Sequence, residues 1–447
     1  MTTELTATAA PDRRWITRQG SLKLDLGFCV VYTVLIVAGM YIKAASLAAF
    51  LLVALAFFCL PLENILGQML YLMSFAMIFK MSPGSTSFLT YLELYTAVLL
   101  LMRHLVLRIR EIICMLLLLA SMLGVSMYAD NLQPLLIVKF FASLLLVACF
   151  KMSDHRRQLP NYLVMMAVGL IVSSAVAYLW KNSSVLQQYI TFSRVFEYDD
   201  TAFKLTKTIR FCGLNSDPNY YAVNLCVAIA GLLILLKNKM IRCRLAVYAL
   251  VIALVGFGLL TVSKSFLLML AVILLYMVFS GIRQKRFGLA LIVLLAGAVL
   301  IVCAAAGKLQ VLDLVLERLN MGDNSDALTT GRVGLWERYI EYLTDNPAGL
   351  VFGSGMGTAF IGFAAHNTYI EGVASLGFVG LLLFSSLLVF LMKDQVPLHR
   401  SFDNFFVLIV LLFMYSFLSM LTWFDFPFQL YLCYCFLNYD LRAPAGK

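Results

Sequence analysis

Residues 308–367 read KLQVLDLVLERLNMGDNSDALTTGRVGLWERYIEYLTDNPAGLVFGSGMGTAFIGFAAHN, the longest polar interruption in an otherwise apolar chain. Within it lie Gly331-Arg332, the segment Gly353-Ser354-Gly355-Met356-Gly357 and, at its end, His366-Asn367. On both sides the sequence runs in apolar stretches of membrane-spanning length. The interruption therefore has to be a loop held by a helix bundle, and its relation to one shorter polar loop decides what the chain can do.

Composition sets the same class. The chain is 62% hydrophobic and 13% charged, with a mean hydropathy of +0.90. Soluble domains lie near 45–50% apolar and about 25% charged, so this chain has too little polar surface to cover a water-facing globule. Apolar runs fall at 24–42, 46–60, 65–79, 88–102, 112–127, 135–150, 163–180, 220–236, 245–260, 266–280, 287–306, 368–392, 404–420 and 427–437. These predict an all-α, polytopic membrane helix bundle of about 12–14 transmembrane helices. Two extracytoplasmic loops are expected, the larger partly helical. The spans read as nearly charge-free, with Glu93 the main exception.

The formal net charge of +10 does not point to nucleic acid, because basic residues gather in the cytoplasmic loops of membrane proteins. With the N-terminal Arg13, Arg14 and Arg18 inside, alternation of spans places every basic cluster of a short connection inside. These are Arg103 to Arg110, Lys151 with Arg156 and Arg157, Lys237 to Arg244, Arg283 to Arg286, and Lys393 with Arg400. Both termini are then cytoplasmic. Segments 1–23 (tail), 24–180 (first helices), 181–217 (first outer loop), 218–306 (central helices), 307–367 (large outer loop) and 368–440 (last helices) follow. The tail has no apolar core or cleavage site of a secretory leader, so the first span is expected to act as a signal anchor. Most of the ten cysteines lie in apolar runs, without C-x-x-C spacing, and read as small buried hydrophobes.

Loops longer than about 12–15 residues usually have a task or are disordered. The first loop carries Phe192, Val195, Phe196, Tyr198 and Phe203, and the second carries Val333, Trp336, Tyr339, Ile340 and Leu343 at helical spacing. That helix is expected to run from Thr330 to just before Asn346-Pro347, on the outer membrane surface or over the bundle. The first loop ends Arg210-Phe-Cys-Gly-Leu-Asn-Ser-Asp217-Pro218-Asn219. Asp217 suits an N-cap and Pro218 the first helical position. The helix start would face outward and favour an anion. Arg210 beside it is either a phosphate clamp or a headgroup anchor.

His366 precedes another such start, where Thr368 and Glu371 have capping-box spacing. The helix dipole would keep its imidazole neutral. It reads equally as a general base or as a ring that bonds a carbonyl and closes the loop. Ser263-Lys264-Ser265 opens a third start, with Lys264 an interface anchor or a second cation at the anion. Arg332 is alternatively a solvated surface residue. Asp313, Asp323 and Asp326 lack metal-ligand spacing, and with four histidines in all no metal is expected.

The order Arg210-x-x-Gly213, Asp217-Pro218-Asn219, Thr330-Gly331-Arg332-x-x-x-Trp336, Gly353-x-Gly355-x-Gly357, His366-Asn367-x-Tyr369, Gly377 and Gly380 resembles the O-antigen ligase and polymerase superfamily. The resemblance covers residues 210–380; the first half is similar only as a bundle of spans. Lys264 stands where family members often carry Arg. The resemblance implies a bacterial cytoplasmic-membrane glycosyltransferase of cell-envelope polysaccharide biosynthesis (capsule, exopolysaccharide or O-antigen). It would be metal-independent and inverting, without a cofactor, and would act outside the membrane. Its donor would be a glycan on undecaprenyl pyrophosphate, and its acceptor lipid A core or another lipid-linked glycan. A flippase and a chain-length regulator would be its companions. His366 would be the general base; Arg210, with Lys264 or Arg332, would bind the pyrophosphate, and Asn219 and Asn367 would line the substrate site. A transporter or flippase of lipid-linked oligosaccharides is the alternative, and it would call for charged residues inside the spans and internal repeats.

Overall fold

The computed structural model describes residues 22–103, 107–129, 133–150, 158–190, 196–198, 209–215, 217–241, 243–283, 332–357, 361–393, 402–421 and 426–438. The expected span 287–306, the three loop aspartates Asp313, Asp323 and Asp326, Thr330 and Gly331 lie outside the described residues, as do Phe192, Val195 and Phe203.

The helices are α1 Leu22–Gly39, α2 Lys43–Cys59, α3 Leu62–Leu72, α4 Phe88–Arg103, α5 Ile109–Tyr128, α6 Pro134–Phe150, α7 Leu159–Leu179 and the short α8 Ser184–Tyr189. A two-stranded antiparallel ribbon, β1 Phe196–Tyr198 with β2 Ile209–Phe211, pairs Glu197 with Arg210. Then come α9 Pro218–Lys237, α10 Arg244–Leu260, α11 Lys264–Arg283, α12 Arg332–Asp345, α13 Pro347–Phe352, α14 Thr368–Lys393, α15 Phe402–Tyr415 and α16 Phe426–Asn438. The described fold is thus all-α apart from that ribbon.

α9 is the axis of the bundle. In its most apolar window 89% of residues are buried inside the protein, against 28% for α1 and for α5. It packs against α7, α10, α11 and α15. Asp217 caps it as the sequence predicts: its Oδ1 accepts from the Asn219 N–H at 2.6 Å and the Tyr220 N–H at 3.4 Å, with Pro218 in the first turn.

Among the described residues six helices are long and apolar enough to cross a bilayer: α1, α5, α7, α9, α11 and α14. Five shorter apolar helices, α2, α4, α6, α10 and α15, stand among them. Their outer faces stay apolar: Leu51, Leu55, Ile252, Leu275, Phe279 and Leu382 are all exposed. Such a surface is unstable in water and satisfied in lipid. The chain is a multi-pass membrane protein by the length and composition of its helices.

Three expectations need correction. The run at 65–79 is no lipid-facing span: α3 has 11 residues, continues as a 3-10 turn over Met73–Phe75, and buries Ile65, Leu66, Met69 and Leu70 completely. Apolarity alone cannot separate a core helix from a spanning one. The spans are also less charge-free than they read. Asp25 is buried in α1, where Asn64 Nδ2 donates to both its oxygens (2.9 and 3.0 Å) and Gln68 Nε2 donates to Oδ1 at 3.0 Å. Finally, Lys237 is no loop cation. It is buried, and its Nζ meets Asp403 Oδ1 of α15 at 2.6 Å.

Candidate functional site

Three helix starts, those of α9, α11 and α14, converge at one end of the bundle. Ser263, just before α11, donates from Oγ to Asn219 Oδ1 in the first turn of α9 at 2.8 Å. The Tyr220 hydroxyl of α9 donates to the Ser419 carbonyl at 2.9 Å, and Ser419 Oγ accepts from the backbone N–H of His366 at 3.1 Å. Thr368, the first residue of α14, donates from Oγ1 to the Leu418 carbonyl at 2.5 Å. The segment after α15 is therefore the latch between two starts, and α11 is tied to them through Asn219.

Arg210 enters from β2. Its side chain is buried; Nε donates to the Thr261 carbonyl at 3.2 Å and Nη2 to Asn219 Oδ1 at 3.2 Å. Asn219 thus serves as the common acceptor for Arg210 and Ser263, a holding role as well as a position at the site. Gly213, between the ribbon and α9, has φ of 61° and a Cβ there would meet the Tyr221 ring at 3.2 Å, so the turn that delivers Arg210 requires glycine.

Arg332 begins α12 half-buried, with its guanidinium 5.8 Å from the Phe417 ring centroid. Burial draws its pKa below the usual range; Asp217 opposes this and Arg210 adds to it. Arg332 is therefore not the solvated residue its spacing allowed but a partner in the Arg210–Asp217 field. His366 shares that field. Its pKa is lowered by burial first and by the Arg332 cation second, while Asp217 pulls it up. Near neutral pH the ring is then uncharged and able to take a proton. The expectation of a neutral imidazole holds, with desolvation and Arg332 as the physical causes.

The large loop places His366 through α12. Trp336 Nε1 donates to the Ala365 carbonyl at 3.0 Å and the Tyr339 hydroxyl to the Phe363 carbonyl at 2.6 Å. Tyr339 and Leu343 are buried with Ala365 and Ala374, so α12 covers the start of α14. Ile340, expected on that face, is 56% exposed; the buried stripe runs through Leu335, Tyr339, Tyr342 and Leu343 instead. Below it the glycine-rich segment touches α14 backbone to backbone. Gly353 and Gly377 have φ of 94° and 65°, and a Cβ on Gly377 would lie 2.3 Å from the Gly353 nitrogen. Only glycines permit that approach, and the Ser354 N–H there donates to the Ala374 carbonyl at 2.8 Å.

One sequence reading changes at this site. The α14 cap is Asn367, whose Oδ1 accepts from the Tyr369 and Ile370 N–H groups at 3.0 and 3.1 Å. Thr368 and Glu371 do not form a capping box, because Thr368 is already helical and its hydroxyl is engaged with residues 418–420. Lys264 opens α11 half-buried, and the atom of its tripeptide that reaches Asn219 is Ser263 Oγ. Arg332 is the cation that acts on His366. Sequence reasoning missed Ser419 and Thr261 and gave Ser263 no part of its own, because these parts depend on contacts between residues far apart in the chain and leave no local pattern. Among the described residues no group of His, Cys, Asp and Glu could hold a metal ion. Neither family models, nor curated proteins, nor solved structures offer any match to this chain.

Proposed function

We propose that this protein is a membrane glycosyltransferase that moves a glycan from undecaprenyl pyrophosphate to a hydroxyl acceptor on the outer side of the bacterial cytoplasmic membrane, as a polysaccharide polymerase or ligase. The observation that carries the reading is the shared field of Arg210, Arg332 and an uncharged His366 at adjoining helix starts. Helix N-termini and guanidiniums suit a pyrophosphate, and a neutral imidazole beside them suits a hydroxyl that must lose its proton.

In this mechanism the His366 ring takes the proton of the acceptor hydroxyl. The acceptor oxygen bonds the anomeric carbon as the bond to the pyrophosphate oxygen breaks, which inverts that carbon. The charge that grows on the departing pyrophosphate is met by Arg332 and by Arg210, itself held from behind by Thr261 and Asn219. Preorganised donors of this kind are worth several kcal/mol in a water-poor site. Asp217 offsets part of the repulsion that Arg332 meets from Arg210.

The test is purified protein in nanodiscs with synthetic undecaprenyl-pyrophosphate oligosaccharide, with and without lipid A core, followed by product mass and release of undecaprenyl pyrophosphate. Release without a longer or transferred glycan would refute the reading. A transporter of lipid-linked oligosaccharide is the second reading, favoured by the buried Asp25 of α1 and its amide donors, since carboxylates inside spans mark transport paths. Flux of labelled lipid-linked glycan across proteoliposomes, with no transfer product, would select it.

A further inference from the structure

Two buried groups beside His366 have no part in the mechanism above: Ser419, 6% exposed, and Glu371, 3% exposed. Ser419 is clamped on all sides. Its N–H donates to the Tyr220 hydroxyl at 3.1 Å, and its carbonyl accepts from that same hydroxyl at 2.9 Å. Its neighbours Leu418 and Met420 both bond Thr368 Oγ1, at 2.5 and 3.2 Å. Ser419 is thereby fixed to the starts of α9 and α14 together.

From that fixed point Ser419 Oγ accepts the His366 backbone N–H at 3.1 Å. The Glu371 carboxyl acts on the same side chain. A hydroxyl has one proton, and a carboxylate only accepts. Because Ser419 Oγ accepts from His366, its own proton is left for a different acceptor, and Glu371 is the carboxyl that acts on it. Glu371 Oε2 is buried with no hydrogen-bond partner among the described residues. Leaving a buried carboxylate half satisfied is costly, and a purely structural hook would not require it. His366 itself has φ of 47°, a left-handed conformation that non-glycine residues avoid. Such strain lasts only where the surroundings over-determine it.

We propose that Ser419 is a positioning residue for His366, with Glu371 setting the direction of the Ser419 hydroxyl, so that the base is aimed through its own backbone. The proposal rests on the glycosyl-transfer reading. The hook decides where the ring stands relative to Arg332 and Asp217, the charged groups that act on it. Releasing the hook lets the ring leave the guanidinium and gain water.

The experiment compares wild type, Ser419→Ala, Ser419→Thr and Glu371→Gln in nanodiscs. It reads kcat, donor KM, the pH profile of kcat/KM, and hydrogen exchange over 361–370. Ser419→Ala should lower kcat roughly 10–100-fold, as a misaligned base does, with donor KM within about twofold. The acid limb of its profile should move to higher pH, and exchange over 361–370 should speed up. Ser419→Thr should restore most of the rate, and Glu371→Gln should fall between. Should Ser419→Ala fail to fold, the acid-limb shift in Glu371→Gln carries the test. Wild-type kcat and acid limb in these variants, or losses that track only the amount of folded protein, would overturn the proposal. No transfer by wild type would sink the enzyme reading and the catalytic role together. Unchanged exchange in Ser419→Ala with an active wild type would overturn the hook alone.

Discussion

The two ends of α9 treat buried charge in opposite ways. At its C-terminal end Lys237 Nζ meets Asp403 at 2.6 Å, Asn238 Nδ2 donates to the second oxygen at 2.9 Å, and the Tyr276 hydroxyl donates to the first. Cation and anion cancel, and aromatic rings close over them: Tyr276 stacks on Phe406 with centroids 3.8 Å apart. At the N-terminal end the supports of Arg210 include a carbonyl and an amide oxygen, and Arg332 stands against an aromatic face. Asp217 also acts on Arg332 there, with Arg210 opposing it. The first arrangement fastens α9 to α15; in the proposed mechanism the second meets the pyrophosphate. The lesson is that the chemistry of the partner, carboxylate or dipole, separates a structural cation from a binding one better than burial does.

That contrast can be broken from either end. The largest effect is expected for His366→Ala, which should cut transfer ~10²–10⁴-fold, the usual worth of a positioned base, while the protein keeps its unfolding temperature. Wild-type product lengths from this variant would remove His366 from the chemistry. Asp403→Ala should do the reverse. It strands Lys237 in the interior and should destabilise by about 3–5 kcal/mol, read by thermal unfolding in detergent, with transfer per folded molecule unchanged. A matching loss of specific activity would show that the two ends are coupled and the contrast is false. Replacing both partners, Lys237→Met with Asp403→Leu, should recover most of that stability, because a buried pair exchanged for apolar groups is often neutral.

Arg210→Lys is expected to raise donor KM about tenfold, since lysine cannot bond Thr261 and Asn219 and still face a phosphate as a planar fork does; unchanged donor kinetics would place the pyrophosphate elsewhere. The smallest shift, that of a pH limb, is expected for Arg332→Gln, beside its loss of pyrophosphate stabilisation. The Arg332 cation holds the His366 pKa down, so its loss lets that pKa rise toward its ordinary value. The neutral ring is then lost earlier as pH falls, and the acid limb of kcat/KM should move to higher pH, below a plateau lowered at all pH by the lost cation at the pyrophosphate. A limb that stays in place would mean that burial alone sets the titration.

Much of the fold was legible because it depends on neighbours in sequence. Apolar runs of spanning length, the Asp217-Pro218 start of α9 and the helix before Asn346-Pro347 all appear where residue type and spacing put them. The misread elements failed for want of non-local information. α3 is as apolar as a span and is buried because α1, α2 and α7 pack around it. The Thr368–Glu371 spacing fits a cap, yet Asn367 takes the cap because Thr368 is held by Leu418 and Met420.

The sequence by itself determined that the chain forms apolar helices, where several begin, and that Arg210 and His366 lie beside outward-pointing starts if the charge bias sets the orientation. Only the tertiary structure decided that Arg332 joins them, that Lys237 is neutralised by Asp403, and that Ser419 ties His366 to α9. Caps and periodicity act over one or two turns and are written locally. Which cation meets which dipole depends on chain segments brought together by packing, and a residue's own neighbours in sequence carry no record of that.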